Sequence, residues 1–258
     1  MASEKARIVV ITGGASGIGA ACAQCIQREG WLPVVADLNF EQAQVVAEQV
    51  GGHAIALDVG DENSVEAAAA RTEAEIGPVW GLVNSAGIAQ APQRPHDFPL
   101  HDWDRIQRID LRGTYLTCLA FSRAMLERSS GAIVNISSIA GAHSMPLHSY
   151  SPAKAAIINM TQCLATEWGP SGIRVNSVAP GYTLTPLLQD QIDRGLRQVD
   201  GALQNTPLGG LVRPEQIAEA VLFLLSDRAS AITGVNLPVD GGWSVGTTWD
   251  MYGGLRGR

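Results

Sequence analysis

The chain has 258 residues, of which 46% are hydrophobic and only 17% are charged. This composition excludes an intrinsically disordered chain, which needs low hydrophobicity and a high net charge. The formal net charge of −7 disfavours binding to the phosphate backbone of nucleic acid. Four cysteines in a chain of this length do not make a disulfide scaffold. We recognise no signal peptide and no apolar run of about 18 residues, so we expect a cytoplasmic globular protein without a membrane partner.

Apolar, β-branched runs alternate with helical patterns along the chain. The predicted strands cover residues 6–12, 32–37, 53–59, 80–84, 131–137, 173–180 and 235–239. The predicted helices cover residues 17–28, 41–49, 62–76, 102–127, 149–168 and 214–226. The strands are continuously apolar, which is typical of a parallel sheet covered by helices on both faces.

This alternation predicts the α/β class: a single-domain, doubly wound Rossmann-type parallel sheet of about seven strands, with helices on both faces. No linker divides the chain, so one domain spans residues 1–258. The least patterned segment, residues 181–211, is predicted to be a mobile lid over the substrate. Its apolar side chains include Tyr182, Leu184, Leu187 and Leu188.

A glycine-rich turn joins the first strand to the first helix, with the sequence Thr12-Gly-Gly-Ala-Ser-Gly-Ile-Gly19. Glycines let the backbone approach a pyrophosphate, and the helix N-terminus offers free N–H groups and the positive end of its dipole. No Walker lysine follows, which excludes a P-loop. We therefore predict dinucleotide contacts from Gly13, Ser16, Gly17, Ile18 and Gly19.

Asp37 ends the second predicted strand. A carboxylate at this position accepts hydrogen bonds from the adenosine ribose and repels a 2′-phosphate. Neither Ser16 nor Leu38 supplies a cation that would bind such a phosphate. The sequence therefore predicts NAD rather than NADP as the cofactor.

Further motifs follow in order along residues 6–243: Asn84-Ser-Ala-Gly87, Tyr150-Ser-Pro-Ala-Lys154, Pro180-Gly-Tyr-Thr-Leu-Thr185 and Val235-Asn-Leu-Pro-Val-Asp-Gly-Gly242. Together with the T-G-x-x-x-G-x-G turn, they resemble the short-chain dehydrogenase/reductase family. The resemblance implies that Asp58 and Val59 lie beside the adenine, and that Asn84 holds either the sheet or the cofactor. Further cofactor contacts implied by the resemblance are Leu38, Ala86, Gly87, Pro180, Gly181, Thr183 and Thr185.

Tyr150 and Lys154 are four residues apart near a predicted helix start, so both side chains can lie on one face. An isolated phenol ionises near pH 10, and a nearby cation is needed for it to act near neutral pH. The resemblance implies that Tyr150 is the general acid/base, that Lys154 stabilises its phenolate and holds the ribose, and that Ser138 orients the substrate oxygen. Counting back from Tyr150 indicates Ser137 instead, but the strand-end pattern favours Ser138.

The family's fourth catalytic residue, an asparagine, is replaced by Asp110 within Ile109-Asp-Leu-Arg-Gly113. The resemblance implies that the main-chain carbonyl at this position holds a water leading to the lysine. Asp110 either keeps that backbone role, changes the proton path, or pairs with a cation such as Arg112.

These features predict an enzyme that transfers a hydride between NAD(H) and a small alcohol or ketone. The alternatives are a 3-oxoacyl thioester reductase and a non-catalytic NAD-binding regulator. Uncharged helical stretches at residues 113–122 and 155–166 predict subunit contacts in a homodimer or homotetramer. We expect no metal, because no histidines have ligand spacing and Cys22-Ala-Gln-Cys25 is interpreted as packing inside a helix.

Overall fold

The computed structural model describes residues 6–195 and 198–254. Its seven strands, β1 to β7 in chain order, are Ile8–Thr12, Leu32–Asp37, His53–Ala56, Val79–Asn84, Gly131–Ile136, Ile173–Pro180 and Asn236–Val239. They form one parallel sheet in the order β3-β2-β1-β4-β5-β6-β7. This confirms the predicted doubly wound, single-domain fold.

The α-helices, α1 to α10 in chain order, are Gly17–Arg28, Phe40–Gln49, Glu62–Arg71, Leu100–Ile106, Gly113–Glu127, Tyr150–Trp168, Pro186–Asp193, Asp200–Gln204, Pro214–Leu225 and Trp243–Gly246. The helix predicted over residues 102–127 is interrupted by a π-helical segment, Gln107–Arg112, which carries Asp110. Such wider turns occur frequently at functional sites.

Both faces of the sheet are buried, which explains its continuously apolar strands. Along β1, Val9 and Ile11 pack into one hydrophobic core with α1 and α9, whereas Ile8 and Val10 pack into the other with α5 and α6. This division follows from the alternation of side chains along a strand. A single polar side chain in the middle of such a strand would therefore be buried without water.

The strand order reverses between β1 and β4, which are neighbours in the sheet. Chains that leave neighbouring parallel strands in opposite directions open a crevice beyond the carboxyl ends of those strands, and ligands bind there in such folds. The predicted site residues end or follow the strands β1 to β6. The topology therefore collects them at one edge of the sheet.

The predicted lid contains regular structure that the sequence pattern missed, namely α7 and α8. Helix α7 begins with Thr185 as its N-cap and proline at its first position, a combination that indicates a helix start. The lid is tied to the following segment, because Val212 N–H donates to Tyr182 O at 2.9 Å and Leu184 N–H donates to Val212 O at 2.8 Å. Residues 196–197 and the Leu187 side chain lie outside the described residues.

No helix in the described part of the chain is long and apolar enough to cross a membrane. The subunit contacts expected along residues 113–122 and 155–166 stay a prediction.

Candidate active site

The first turn of α1 differs from the first turns of the two helices that follow it. Asn39 and Asp61 accept backbone N–H bonds as the N-caps of α2 and α3, whereas the Ser16 side chain makes no capping bond at the start of α1. Gly13 and Gly17 adopt left-handed φ values of 65° and 54° in the turn. The free N–H groups of this helix start are therefore available to an anionic group.

The glycines of the turn do not all serve the same purpose. A Cβ on Gly19 would lie 2.1 Å from the Gly13 carbonyl oxygen, so Gly19 allows the turn to close on itself. A Cβ on Gly13 would lie 2.7 Å from Ala86 Cα, which fixes the turn against the end of β4. Gly19 thus has a packing role in the turn, and its contact with a cofactor stays a prediction.

Asp37 is held against the same turn. Its Oδ2 accepts the Ala15 N–H at 3.0 Å and its Oδ1 accepts the Asn39 N–H at 2.9 Å. The neighbouring Leu38 side chain is 73% exposed and uncharged. The carboxylate is thus fixed at the end of β2 with its charge facing the crevice.

A cleft of about 490 Å³ runs along the carboxyl ends of the strands. The predicted residues that line it are Gly13, Ser16, Gly17, Ile18, Asp37, Leu38, Asp58, Val59, Ala86, Gly87, Asp110, Tyr150, Lys154 and Thr185. Ser138, Gly181 and Thr183 line a second cavity instead, and Pro180 is buried at the end of β6.

The side chain of Asn84 belongs to the sheet. Its Nδ2 donates to Asn135 Oδ1 at 2.9 Å, and its Oδ1 accepts the Thr117 hydroxyl at 2.7 Å. With Asn84 only 3% exposed, both ends of the amide are used inside the protein. Of the two roles left open for Asn84, the structure shows the side chain holding the sheet, and a contact with a cofactor stays a prediction.

Lys154 is buried between the end of β5 and the Tyr150 ring. Its Nζ donates to the Ile136 carbonyl oxygen at 3.2 Å and lies 5.3 Å from the centroid of the Tyr150 ring. The residue is 5% exposed. The Lys154 ammonium therefore lies beside the Tyr150 ring inside the protein.

Asp110 is fully buried and pairs with Lys154. Its Oδ1 accepts the Ile88 N–H at 2.9 Å, and its Oδ2 lies 3.3 Å from Lys154 Nζ. Burial acts to lower the pKa of Lys154, but the charges of Asp110 and Tyr150 outweigh it and raise that pKa above its usual range. The suggested pairing with Arg112 is wrong, because the Arg112 guanidinium bonds to Glu62 at 3.0 Å.

The backbone carbonyl of Asp110, which the resemblance assigns to a bound water, accepts the Thr114 hydroxyl at 2.6 Å. The water that the resemblance implies at this carbonyl stays a prediction.

The two serines after β5 face different surroundings. Ser137 Oγ lies within hydrogen-bond distance of Val178 O and Asn236 Oδ1, between β6 and β7. Ser138 Oγ accepts the Ala140 N–H at 3.1 Å and lines the second cavity, where its O–H is free to bind a ligand. The geometry therefore favours Ser138 over Ser137 as the serine that contacts a substrate.

The second cavity has a volume of about 510 Å³, and its described lining residues are all uncharged. Tyr150 belongs to the walls of both the cleft and this cavity. A group bound in the cleft and a group bound in the cavity would therefore meet at the Tyr150 side chain.

Sequence reasoning missed Gln90, which lies in the loop after β4 and on the wall of the second cavity. Its Oε1 accepts the N–H groups of Ser149 and Tyr150, at 2.9 and 3.0 Å, just where α6 begins. Gln107, also missed, donates through Nε2 to Ser149 O at 2.9 Å. The available signal was an amide side chain within the otherwise small and apolar residues 86–92, which follow the carboxyl end of β4.

No group of three or more potential metal ligands occurs among the described residues. Cys22 and Cys25 are buried and unoxidised on α1, and burial raises the pKa of Cys25 to about 11. A thiol of that pKa is inert near neutral pH.

Comparisons with known proteins agree with this geometry. A family model described as Enoyl-(Acyl carrier protein) reductase matches residues 13–244. The chain is 40% identical over 248 residues to D-threitol dehydrogenase from Mycolicibacterium smegmatis, covering 93% of each protein.

Two solved structures share the fold. One, titled ribose-5-phosphate isomerase from Brucella melitensis 16M, is 49% identical with a TM-score of 0.95, and the match covers 98% of each chain. The other, titled a short-chain type dehydrogenase/reductase from Mycobacterium marinum, is 33% identical with a TM-score of 0.85, covering 92% of this chain and 95% of that one. The motifs, the sheet topology and these matches agree, and the chain belongs to the short-chain dehydrogenase/reductase family of oxidoreductases.

Proposed function

We propose that this protein is an NAD-dependent dehydrogenase that interconverts a small alcohol and its ketone, with Tyr150 as the general acid/base. The observation that carries the proposal is the position of Tyr150 on the walls of both cavities, with Lys154 behind its ring and Ser138 in the second cavity. The similarity to a D-threitol dehydrogenase supports an alcohol as the substrate.

The residues of the cleft fit a nicotinamide dinucleotide. The uncapped start of α1 suits the pyrophosphate, and the fixed Asp37 carboxylate suits the hydroxyls of an adenosine ribose. Neither Ser16 nor Leu38 is a cationic residue that could pair with a 2′-phosphate, which favours NAD over NADP. When bound, the nicotinamide accepts or donates the hydride.

In the direction of oxidation, the Ser138 hydroxyl donates a hydrogen bond to the substrate oxygen and holds it near Tyr150. The Tyr150 phenolate then takes the hydroxyl proton, and the Lys154 ammonium stabilises the phenolate beforehand. Asp110 holds the lysine in place while weakening its positive field, because its carboxylate lies 3.3 Å from Nζ. This carboxylate distinguishes the chain from the family pattern.

The neutral second cavity bears on the other candidates. A phosphorylated sugar would find no charged partner among the described lining residues, so the name of the Brucella relative does not guide our choice of substrate. The description of the matched family model keeps reduction of an acyl thioester as the second candidate. A non-catalytic regulator would bind NADH without turning over any substrate.

The deciding experiment is Tyr150→Phe, assayed at 340 nm with NAD and a panel of alcohols, and with NADH and an acetoacetyl thioester. Because general acid/base catalysis contributes about 10²- to 10⁴-fold, kcat falls by a factor in that range. NADH binding, followed by fluorescence, stays within a few-fold. Tyr252→Phe, an exposed phenol that lines neither the cleft nor the second cavity, is the control and retains wild-type kcat.

Full turnover in Tyr150→Phe contradicts the mechanism. Turnover of the thioester alone supports the second candidate, and NADH binding without turnover on any substrate supports the regulator. We also propose that the protein is cytoplasmic and forms a homodimer or homotetramer, which light scattering at micromolar concentration tests.

A further inference from the structure

The orientation of the Gln90 side-chain amide is determined by its surroundings. Two backbone N–H groups, from Ser149 and Tyr150, point at one end of the amide, at 2.9 and 3.0 Å. Only the oxygen can accept both hydrogen bonds, so Oε1 occupies that end. The Nε2 group must therefore occupy the other end, away from the start of α6.

Gln90 Nε2 is a buried donor without an acceptor among the described residues. Gln90 is 7% exposed and lines the second cavity beside Ser138 and Tyr150. A buried donor that loses water and finds no acceptor carries a desolvation cost, so such groups in native proteins call for an explanation. A ligand oxygen in the cavity would satisfy this donor.

The lining of the cavity indicates the chemical nature of that oxygen. No described lining residue is charged, so a carboxylate or a phosphate would enter without a cation to pair with it. A neutral hydroxyl carries no such penalty, and it also can donate to the hydroxyls or carbonyls of the wall. The donor at Gln90 is therefore matched to a neutral polar group.

We propose that Gln90 is a specificity-determining residue whose Nε2 donates a hydrogen bond to a second hydroxyl of the substrate, near the carbon that Tyr150 and Ser138 address. The substrate class is then a diol or a polyol rather than a simple alcohol. This inference rests on the proposed function, since it assumes that the second cavity binds an alcohol for oxidation. A site built to bind a hydroxyl rejects the analogue that lacks it, because the buried donor is left unpaired.

The first test uses the unmodified protein and pairs of alcohols that differ by one hydroxyl. The pairs are 2,3-butanediol with 2-butanol, and 1,2-cyclohexanediol with cyclohexanol, each at saturating NAD. We expect kcat/KM to be at least about tenfold higher for the diol of a productive pair. A third compound, 3-hydroxybutyrate, replaces the second hydroxyl by a carboxylate and is expected to be a poorer substrate than 2,3-butanediol.

The second test is Gln90→Glu, which keeps an acceptor for the Ser149 and Tyr150 N–H groups and removes the amide donor. These two N–H groups lie at the positive end of α6 and keep the new carboxylate ionised. The ratio of kcat/KM for diol over mono-alcohol falls about tenfold, whereas any effect of the new charge on Tyr150 is common to both substrates and cancels. Gln93→Glu, an exposed change in the same loop, leaves the ratio at the wild-type value.

Each outcome separates this inference from the function on which it rests. Equal turnover of diol and mono-alcohol by the wild type, an unchanged ratio in Gln90→Glu, or a preference for 3-hydroxybutyrate overturns the role of Gln90 while leaving an alcohol dehydrogenase. A loss of equal size on both substrates shows that Gln90 only positions the start of α6, and this also overturns the inference. Failure to oxidise any alcohol contradicts the proposed function itself, and the inference with it.

Discussion

The two edges of the sheet use polar groups differently. At the amino edge, just before β1, Arg7 is bonded to both carboxylate oxygens of Asp227, at 2.9 and 2.7 Å. Its guanidinium also lies 3.9 Å from the centroid of the Trp80 ring and 5.2 Å from that of Trp31. The charge, its counter-charge and the faces of two aromatic rings are thus all matched within the protein.

The carboxyl edge leaves several groups unmatched. Among the described residues, the buried side-chain atoms without a hydrogen-bond partner are Gln90 Nε2, Asp110 Oδ2 and Ser151 Oγ. Asp110 Oδ2 is close enough to Lys154 Nζ for an ion pair, at 3.3 Å, but is not aligned with it as a hydrogen bond. Proteins tend to leave polar groups unsatisfied at functional sites, so the contrast separates an edge that stabilises the fold from the edge at which we propose that ligands bind.

Among the variants that test this contrast, the largest effect is expected at Asp37, because its charge acts on the ligand more than on the fold. Two like charges at an exposed to partly exposed site repel each other by about 1–3 kcal/mol. Replacing Asp37 by alanine removes this repulsion toward a 2′-phosphate. The ratio of kcat/KM with NADP to that with NAD then rises about 5- to 150-fold. The ratio is measured at 340 nm with one alcohol substrate.

Asp61→Ala is the matched control, since Asp61 is a second carboxylate that accepts a backbone N–H but lies outside the cleft. Its cofactor ratio stays at the wild-type value. If Asp37→Ala gains no relative use of NADP, the assignment of NAD through Asp37 is wrong.

An intermediate effect is expected at the buried pair of Asp110 and Lys154. Asp110 raises the pKa of Lys154, so Asp110→Asn lets the ammonium lose its proton at lower pH and moves the alkaline limb of the kcat/KM profile down. The measurement is the pH profile of kcat/KM, in which the alkaline limb of Asp110→Asn lies at lower pH than that of the wild type.

Glu62→Gln is the control, and it tests whether the loss of any carboxylate near the π-helical segment changes the pH profile. Glu62 pairs with Arg112 on the same π-helical segment but is exposed, and its variant keeps the wild-type profile. If Asp110→Asn has the same pH profile of kcat/KM as the wild type, the Asp110 carboxylate does not act on Tyr150 through Lys154.

The fold could be predicted because apolar runs mark the buried strands, most clearly in β1, although β6 also carries Arg174, Asn176 and Ser177. The bounds of β2 and β6 agree with the predicted ranges, residues 32–37 and 173–180. The third strand was predicted too long, over residues 53–59, because Leu57 and Val59 are buried although β3 ends at Ala56. An apolar run in the sequence indicates which residues are buried. Residues can remain buried beyond the point where hydrogen bonding between strands ends, so the run extends past the strand.

The candidate site could be predicted only where a local motif carries it. Tyr150 and Lys154 are one helical turn apart, so their proximity follows from the helix alone. Gln90 reaches the start of α6 across a separation of 60 residues, and no local pattern contains that contact. The same holds for Asp110, whose partner is the distant Lys154 and not its neighbour Arg112.

The smallest effect is expected at the amino edge. A variant there tests whether the polar groups of this edge stabilise the fold without acting on catalysis. Arg7→Met keeps the length of the side chain but removes the charge over Trp80 and Trp31 and the bonds to Asp227. Cation–π contacts at exposed sites and exposed ion pairs each contribute about 0.5–1 kcal/mol or less, so the free energy of unfolding falls by about 1 kcal/mol in urea. Because these contacts are complete within the amino edge, kcat/KM and its pH profile stay at wild-type values.

Arg71→Met, which removes an exposed ion pair with Glu75 but no ring contact, loses less stability and shows how much the tryptophans add. A pH profile that moves in Arg7→Met would show that the charge is felt at the opposite edge of the sheet. The amino edge would then no longer be a purely structural region, and the separation of roles between the two edges would fail. A loss of stability alone, with an unmoved profile, places the electrostatic control of Tyr150 at the carboxyl edge, where the buried carboxylate and ammonium meet.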